Sequence, residues 1–333
     1  MKAIFLCESE PCFRSVYAED TIDVLCKTAG AEDKVFAKAD TLASPGDFAD
    51  TEYIFSTWNM PVYTEDEVRS VFPSLKCLFY GAGSVQGFAE AFLNCGVKVF
   101  SAWAANGIPV AEFTVAQIIL ANKGFFAASR LMSRGEVNPA HTTASKYPGN
   151  YGARVGIIGA GMIGKMVIRM LREYRLECLV YDKFMSAEDV AALGARKCTL
   201  EEIFTECSVV SNHLANNSQT AGMLTGELFS KMMPYSTFIN TGRGAQVVES
   251  ELCEVLRSRP DITVLLDVTD PEPPVKDSPF FALENCILSP HMAGSKGQEI
   301  HRMAEYMAEE YARFAEGREC LYEVTTEMLA TMA

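Results

Sequence analysis

The segment Val155-Gly-Ile-Ile-Gly159-Ala-Gly161-Met-Ile-Gly164 decides the fold, because it places GxGxxG directly after an apolar run and directly before a helical pattern. Each of these positions needs glycine for a different steric reason. Gly159 is expected to make the tight turn, Gly161 to let a pyrophosphate approach the backbone, and Gly164 to allow the helix to pack closely on the strand. The segment therefore predicts a strand, a phosphate-binding turn and a helix.

The residues around this turn predict a dinucleotide cofactor. The N–H groups of Met162 and Ile163 would face the diphosphate at the positive end of the helix. Asp182 ends the next strand-like run, about 20 residues after Gly161, where an acidic residue binds the ribose hydroxyls. A carboxylate there repels a 2′-phosphate, so NAD is favoured over NADP. Lys183 weakens that preference, because a basic neighbour tolerates the phosphate.

The chain on both sides of the turn alternates strand-like and helical patterns. Such alternation predicts an α/β fold with doubly wound parallel sheets. The strand-like runs in the first hundred residues are Ala3–Cys7, Val35–Ala37, Tyr53–Ser56, Leu75–Tyr80 and Val97–Phe100. Those after Arg154 are Val155–Ile158, Cys178–Tyr181, Val209–Asn212, Thr237–Asn240, Val264–Val268 and Cys286–Leu288.

The helical patterns differ along the chain. Val110–Leu131 predicts one long helix with few charges, and Ser133–Gly152 shows no periodicity. Gln298–Gly317 predicts a final long helix that ends at a glycine. Two capping boxes, Thr64–Glu67 and Thr199–Glu202, predict helix starts.

Composition limits the partners and the compartment. The 333 residues include 29 basic and 43 acidic side chains, a formal net charge of −14, which disfavours nucleic acid and anionic membranes. No apolar stretch approaches the roughly 18 residues of a membrane span, and Met1–Cys7 is too short for a signal peptide. The 11 cysteines contain no CxxC pair, so no metal site is expected. The cysteines are scattered along the chain, and most lie inside apolar runs, as reduced core thiols do. This pattern favours a reducing, cytoplasmic location.

Three side chains are candidates for chemistry at the carboxyl ends of strands, where open parallel sheets bind ligands. His291 follows the run Cys286–Leu288, and Arg243 lies between two glycines after Thr237–Asn240. The guanidinium of Arg243 suits a carboxylate, which an acidic chain binds only with a local cation. Glu272 lies in a stiff proline-rich loop. The alternatives are a structural ion pair for Arg243, an exposed acid for Glu272 and a packing role for His291.

Four blocks in this order resemble the D-isomer-specific 2-hydroxyacid dehydrogenase family. They are the glycine turn, Asn240–Gly244, Leu266–Val268 running into Pro271–Pro274, and Ser289–Gly294. The resemblance implies a flavodoxin-like substrate domain, a Rossmann cofactor domain and an active site in the cleft between them. It also implies a D-stereospecific hydride transfer between NAD(H) and a small anionic 2-keto or 2-hydroxy acid.

The same resemblance implies roles for individual residues. His291 is expected to be the acid/base at the keto oxygen, and Glu272 to bond its other ring nitrogen. Arg243 is expected to bind the substrate carboxylate together with the N–H groups of Ala82 and Gly83.

Further residues are implied as cofactor contacts. Asp267 would accept from the nicotinamide carboxamide, and the other implied contacts are His213, Asn217, Thr241 and Gly294. The segment His213–Asn217 lacks the proline and threonine that the family usually has there, so Asn217 stands at the threonine position. Trp58 lies in a polar loop and is a candidate for the substrate pocket, with a core edge or an interface as alternatives.

The resemblance also implies a discontinuous domain organisation. Residues 1–101 with 298–333 would form the substrate domain, and residues 102–297 the NAD-binding domain. The expected assembly is a homodimer through the cofactor domain, with Val110–Gly152 in the interface; a lid or solvent loop is the alternative for that segment. An NAD-sensing binding or corepressor-like module with little turnover is the alternative function.

Overall fold

The computed structural model describes residues 2–329, and they form two compact units. One unit comprises 2–107 together with 295–329, and the other comprises Ile108–Gly294. The domain boundary expected between residues 101 and 102 thus lies inside the first unit. The boundary expected between residues 297 and 298 lies inside the segment 295–329, which also belongs to the first unit. Each unit contains its own sheet, so the prediction of an α/β protein with two parallel-sheet domains is confirmed.

The described residues contain thirteen strands. They are β1 Ala3–Leu6, β2 Ala31–Phe36, β3 Tyr53–Ser56, β4 Cys77–Tyr80, β5 Lys98–Ser101, β6 Tyr151–Ile158, β7 Arg175–Tyr181, β8 Arg196–Lys197, β9 Val209–Asn212, β10 Thr237–Asn240, β11 Thr263–Leu266, β12 Cys286–Leu288 and β13 Glu323–Val324. The runs at β3, β9, β10 and β12 have the predicted bounds, whereas β8 and β13 are too short to leave an alternating pattern.

Helices connect most of these strands. They are α1 Glu10–Val16, α2 Glu19–Ala29, α3 Lys38–Ala43, α4 Pro45–Phe48, α5 Glu65–Val71, α6 Ala89–Asn94, α7 Trp103–Asn122, α8 Phe125–Ser133, α9 Val137–Ala144, α10 Met162–Leu171, α11 Ala187–Ala192, α12 Leu200–Glu206, α13 Gly226–Ser230, α14 Glu249–Ser258, α15 His301–Ala315 and α16 Thr326–Leu329. Short 3-10 turns lie at Gly244–Gln246, Pro279–Ala282 and Gly297–Ile300. Both predicted capping boxes are confirmed, at the starts of α5 and α12.

The first unit has a six-stranded sheet in the order β13-β5-β4-β3-β1-β2, in which only β13 runs antiparallel. The strands β1, β3 and β4 are buried along their whole length, as expected when helices cover both faces of a parallel sheet. Rings of Phe55, Phe79 and Phe100 stack in sequence across neighbouring strands. The core therefore fixes the carboxyl ends of β1, β3 and β4, where the candidate substrate loops begin.

The second unit has a parallel seven-stranded sheet in the order β12-β11-β10-β9-β6-β7-β8. The strand order reverses at β6, because β7 and β8 lie on one side of it and β9 to β12 on the other. Such a switch point opens a crevice at the carboxyl ends of the strands. The glycine turn that follows β6 lies at this crevice.

The first segment of the second unit differs from the sequence expectation. The single helix expected over Val110–Leu131 is divided into α7 and α8 at Gly124, which has a φ of 66°. A Cβ at Gly124 would lie 2.4 Å from the ring of Tyr147. The segment Ser133–Gly152 is not irregular throughout, since it contains the helix α9.

Helix α7 differs from the expectation that no apolar stretch approaches the length of a membrane span. It is long and apolar enough to cross a membrane by length and composition, although no such stretch is expected from the sequence. Its residues Ala111, Ile118 and Ala121 belong to the same buried cluster as Val155 and Ile157 of β6. The apolar composition of α7 is therefore that of a core helix.

Candidate active site

The glycine turn has the geometry predicted from its sequence. Gly159 has a φ of 89°, and a Cβ there would lie 2.8 Å from the backbone oxygen of His213. A Cβ at Gly164 would lie 2.1 Å from the oxygen of Gly159. A Cβ at Gly161 would meet no atom of the described residues within 4 Å. The structure thus requires two glycines for packing, whereas the third leaves open space beside the start of α10.

At the start of α10, no side chain of residues 2–329 caps the backbone N–H groups. Gly161 is the N-cap and provides no side-chain cap, so the first-turn N–H groups, including those of Met162 and Ile163, have no capping side chain. Such amides at the positive end of a helix suit a phosphate group. The turn therefore fits the diphosphate of a dinucleotide.

Asp182 is tied to the same turn. Its Oδ2 accepts from the N–H of Ala160 at 2.8 Å, and its Oδ1 accepts from Phe184 and Met185 at 2.8 and 2.9 Å. Burial by itself would raise the pKa of Asp182, but these three backbone donors lower it below its ordinary value. The carboxylate is thus ionised near the glycine turn, while the Nζ of Lys183 contacts Gln219 Oε1 at 3.0 Å.

The loop after β9 contains the two implied cofactor residues His213 and Asn217. Burial lowers the pKa of His213 to about 4, and its Nε2 lies 2.9 Å from the hydroxyl of Ser211. The side-chain oxygen of Asn217 accepts from the N–H of Gln219 at 2.9 Å. His213 is therefore neutral at neutral pH, and Asn217 stabilises its own turn.

Arg243 follows β10 in a turn built by side-chain amides. Asn240 accepts from the N–H of Gly242 and donates to the carbonyl of Arg243, both at 3.0 Å. A Cβ at Gly244 would lie 2.0 Å from the carbonyl carbon of Thr269, so only glycine fits there. The guanidinium donates to the Gly242 carbonyl at 2.8 Å and pairs with no carboxylate of the described chain. A structural ion pair, the alternative for Arg243, is thus not formed within residues 2–329.

His291 and Glu272 contact each other directly. The Nδ1 of His291 is hydrogen bonded to a carboxylate oxygen of Glu272. The side chains are 48% and 36% exposed, so neither is an ordinary packing residue. Within the described residues Nε2 of His291 has no hydrogen-bond partner, which leaves that nitrogen open to a ligand. An imidazole held in this way can exchange a proton with an oxygen placed at Nε2.

Asp267 has a structural role that the sequence did not indicate. It is 3% exposed, and its oxygens accept from the N–H groups of Met292 and Ala293 at 2.9 and 2.8 Å and from the hydroxyl of Ser289. These bonds shape the turn that carries His291. A cavity of about 680 Å³ lies beside the same turn. Its lining includes Asp267, Glu272, Phe281, Leu288, Ser289 and His291.

The remaining implied cofactor residues lie at the ends of the same sheet. Thr241 is buried and its hydroxyl lies 3.2 Å from that of Thr114 on α7. Gly294 ends the second unit, three residues after His291. Sequence reasoning missed Asn212 and Gln246, which contact each other and flank the Arg243 turn. Asn212, a polar side chain at the buried end of β9, was the available signal, whereas Gln246 lies in the 3-10 turn Gly244–Gln246.

The three implied substrate residues lie in the first unit. The hydroxyl of Ser101 donates to the carbonyls of Ala82 and Gly83, at 2.9 and 2.5 Å. The N–H groups of Ala82 and Gly83 have no acceptor in the part of the chain that is described. Trp58 lies in the loop after β3 and is 39% exposed, so it is not a core residue.

The fold and the site define an α/β oxidoreductase with a dinucleotide-binding sheet. The profile of "D-isomer specific 2-hydroxyacid dehydrogenase, NAD binding domain" matches residues 115–293. The chain belongs to this family of 2-hydroxyacid dehydrogenases.

Individual relatives support the assignment. The chain is 31% identical to a formate dehydrogenase from Neurospora crassa over 257 residues, 74% of this chain and 68% of the relative. It is 27% identical to a D-3-phosphoglycerate dehydrogenase from Archaeoglobus fulgidus over 222 residues, 67% of this chain but only 42% of the relative, so it spans less than half of that protein. The apo structure of D-mandelate dehydrogenase from Rhodotorula graminis shares the fold, with a TM-score of 0.80, 20% identity and 97% coverage of both chains.

Proposed function

We propose that the chain reduces a small 2-keto acid to the D-2-hydroxy acid, or catalyses the reverse oxidation, with NAD(H). The contact between His291 and Glu272 supports this most directly, because it holds an exposed imidazole at the carboxyl end of β12 with Nε2 open. Arg243, which has no acidic partner among the described residues, provides the cation that an anionic substrate needs.

The cofactor is proposed to bind at the glycine turn. Gly159, Gly161 and Gly164 leave room for it, and the N–H groups of Met162 and Ile163 donate to its phosphates. Asp182 accepts the ribose hydroxyls and favours NAD over NADP. Further proposed contacts are His213, Asn217, Thr241, Asp267 and Gly294. When bound, the nicotinamide supplies or accepts the hydride of the reaction.

The acid/base step is assigned to His291. Its Nε2 donates a proton to the keto oxygen during reduction and accepts it back during oxidation. The carboxylate of Glu272 at Nδ1 orients the ring. Arg243 binds the substrate carboxylate and polarises the ketone, and the N–H groups of Ala82 and Gly83 bind the same carboxylate. Binding through several fixed donors orients the carbonyl carbon for hydride transfer.

The substrate side group and the assembly are further parts of the proposal. Trp58 is the residue proposed to contact the side group. The expected assembly is a homodimer in which Val110–Gly152 forms the interface, and the expected location is the cytoplasm. The relatives are named for phosphoglycerate, formate and glyoxylate, so a small carboxylate is the common feature.

A substrate panel tests the proposal. The full chain is mixed with NADH or NADPH and glyoxylate, pyruvate, hydroxypyruvate, phenylpyruvate or phosphohydroxypyruvate, and with NAD and formate. We expect NADH to be consumed with at least one keto acid and to yield the D-hydroxy acid on chiral chromatography. NADH binding without turnover on any substrate would instead favour the binding or corepressor-like module. Absence of NADH binding would contradict both functions.

A further inference from the structure

Two cysteine thiols meet at one carbonyl oxygen in the first unit. The Sγ of Cys7 lies 3.2 Å from the backbone oxygen of Trp58, and the Sγ of Cys12 lies 3.7 Å from the same atom. The two sulfur atoms are therefore separated by no more than the sum of these distances. Cys7 follows β1 and Cys12 lies in the first turn of α1, so the fold rather than chance proximity on a flexible loop holds them there.

The surroundings distinguish the two thiols. Cys7 is 2% exposed, and its thiol also faces the carbonyl of Ser9 at 3.2 Å. Burial raises the pKa of Cys7 above its ordinary value, so it is a protonated donor at neutral pH. Cys12 is only half-buried, so a small oxidant in solvent can reach its sulfur but not that of Cys7.

The carbonyl that both thiols approach belongs to an exposed loop. Trp58 is 39% exposed, and the following Asn59 has a φ of 63°. The loop is also held by the N–H of Glu8, which donates to the oxygen of Asn59 at 3.0 Å. Three contacts with the segment after β1 thus position Trp58, and two of them are made by thiols.

We propose that Cys7 and Cys12 form an oxidisable dithiol, and that its conversion to a disulfide moves the Trp58 loop. The oxidant is a peroxide. The thiolate of Cys12 attacks a peroxide oxygen, which breaks the O–O bond and yields a sulfenic acid and the first water. The thiol of Cys7, losing its proton, then attacks the sulfur of Cys12, which forms the S–S bond and releases the second water. Two thiols lose two electrons and two protons in total, and one hydrogen peroxide becomes two waters.

The consequence for Trp58 follows from hydrogen bonding. A disulfide has no S–H group, so the Trp58 carbonyl loses both thiol donors, and the two sulfur atoms move toward each other. The carbonyl of Trp58 is then unanchored, while the loop keeps the bonds on either side of it, from the Thr57 hydroxyl to the Gly81 carbonyl and from the Glu8 N–H to the Asn59 carbonyl. Because Trp58 is a proposed substrate contact, the effect on turnover rests on the proposed function, whereas the effect on the sulfur atoms does not.

Mass spectrometry tests the chemical step. Trypsin cuts after Lys2 and Arg14, so both cysteines lie in the single peptide 3–14. After titration of the full chain with hydrogen peroxide and alkylation of free thiols, we expect this peptide to be unalkylated and lighter by two hydrogens. The peptide containing Cys26, which is also half-buried, should stay alkylated at the same dose. Alkylation of both Cys7 and Cys12 at that dose, or trapping of a lasting sulfenic acid on Cys12, would overturn the proposal.

Tryptophan emission and kinetics test the coupling to the loop. Oxidation should shift the emission of the chain and of Trp103→Phe, but not that of Trp58→Phe. It should lower kcat/KM for the keto acid about tenfold, since small misplacements of substrate contacts are costly, and dithiothreitol should restore it. Cys12→Ser, whose hydroxyl can still donate to Trp58, should resist both effects. Disulfide formation with unchanged emission and kinetics would contradict the coupling, whereas an untreated chain that reduces no keto acid would contradict the proposed function alone.

Discussion

The backbone N–H of His291 donates to the backbone oxygen of Asp267 at 3.1 Å. This bond joins the turn after β12 to the end of β11, while the Asp267 carboxylate accepts from Met292 and Ala293 on the other side of the histidine. His291 has a φ of 47°, a conformation that non-glycine residues rarely adopt. Asp267 therefore determines where the imidazole lies, and its Oδ2, which accepts from the N–H of Ala293, keeps a lone pair for the proposed cofactor donor.

Asp267→Asn is expected to lower both stability and turnover. The amide places an N–H₂ group against a backbone donor, and a buried donor without an acceptor costs about 1–3 kcal/mol. We expect a lower Tm and a fall in kcat larger than any change in KM, measured by thermal denaturation and steady-state kinetics. Asp270→Asn, an exposed position three residues later, is the matched control. Equal values for Asp267→Asn and the parent chain would show that the carboxylate does not position His291.

His291→Gln should remove turnover while leaving cofactor binding intact. Loss of general acid/base catalysis typically costs about a hundred- to ten-thousand-fold in rate, whereas NADH affinity measured by fluorescence titration should stay the same. His141→Gln, on the exposed face of α9, should keep full activity. Retention of most of the activity by His291→Gln would contradict its assignment as the acid/base.

Two substitutions in the glycine turn are expected to differ in effect, one lowering the Tm and the other the affinity for NADH. Gly164→Ala puts a Cβ 2.1 Å from the oxygen of Gly159, and such overpacking typically costs about 1–3 kcal/mol or more, so the Tm should fall. Gly161→Ala meets no atom within 4 Å; it should fold normally but weaken NADH binding, because the Cβ occupies the space proposed for the pyrophosphate. Unchanged NADH affinity in Gly161→Ala would place the cofactor elsewhere.

Asp182→Ala should relax the choice between the two cofactors. Removing the carboxylate ends its repulsion of a 2′-phosphate, and Lys183 stays available to that phosphate. We expect the ratio of kcat/KM for NADH to that for NADPH to fall about tenfold or more. Glu177→Ala, an exposed position on the same strand β7, should leave the ratio unchanged. A constant ratio in Asp182→Ala would assign the discrimination to other residues.

Glu249 should give stability a specific pH dependence. Burial raises its pKa from the ordinary 4.5 to about 7, and its Oε1 accepts from the N–H of Asp270 at 2.8 Å. Because the folded state then binds more protons than the unfolded state between about pH 4.5 and 7, this carboxyl lowers stability as the pH rises through that window. Relative to the parent chain, the Tm of Glu249→Gln should therefore rise between about pH 4.5 and 7 and stay level above that window.

The control for this prediction lies on the same helix. Glu254 is an exposed residue of α14, and Glu254→Gln removes a carboxyl from the same helix without touching the bond to Asp270. If the Tm difference between Glu249→Gln and the parent chain followed the same pH profile as that of Glu254→Gln, the raised pKa of Glu249 would be contradicted.

Much of the site could be predicted from residues that are close in sequence. The glycine spacing, Asp182 after the next strand, and the positions of Arg243 and His291 beyond strand ends all follow from local patterns, because parallel strands bring their carboxyl ends to one edge of the sheet. The prediction of one long helix over Val110–Leu131 was wrong, since the ring of Tyr147 excludes a side chain at Gly124. That contact joins residues far apart in the chain and leaves no periodic signal.

The sequence by itself determined the two-sheet α/β class, the cofactor turn and the candidate catalytic side chains, because backbone sterics and strand–helix periodicity are local properties. Only the tertiary structure decided which donors Asp267 accepts, that Glu249 supports the backbone before Glu272, and that Cys7 and Cys12 share the Trp58 carbonyl. The physical reason is that a hydrogen bond requires its atoms within about 3 Å, a tolerance finer than any spacing rule. Strand register and loop packing set those distances.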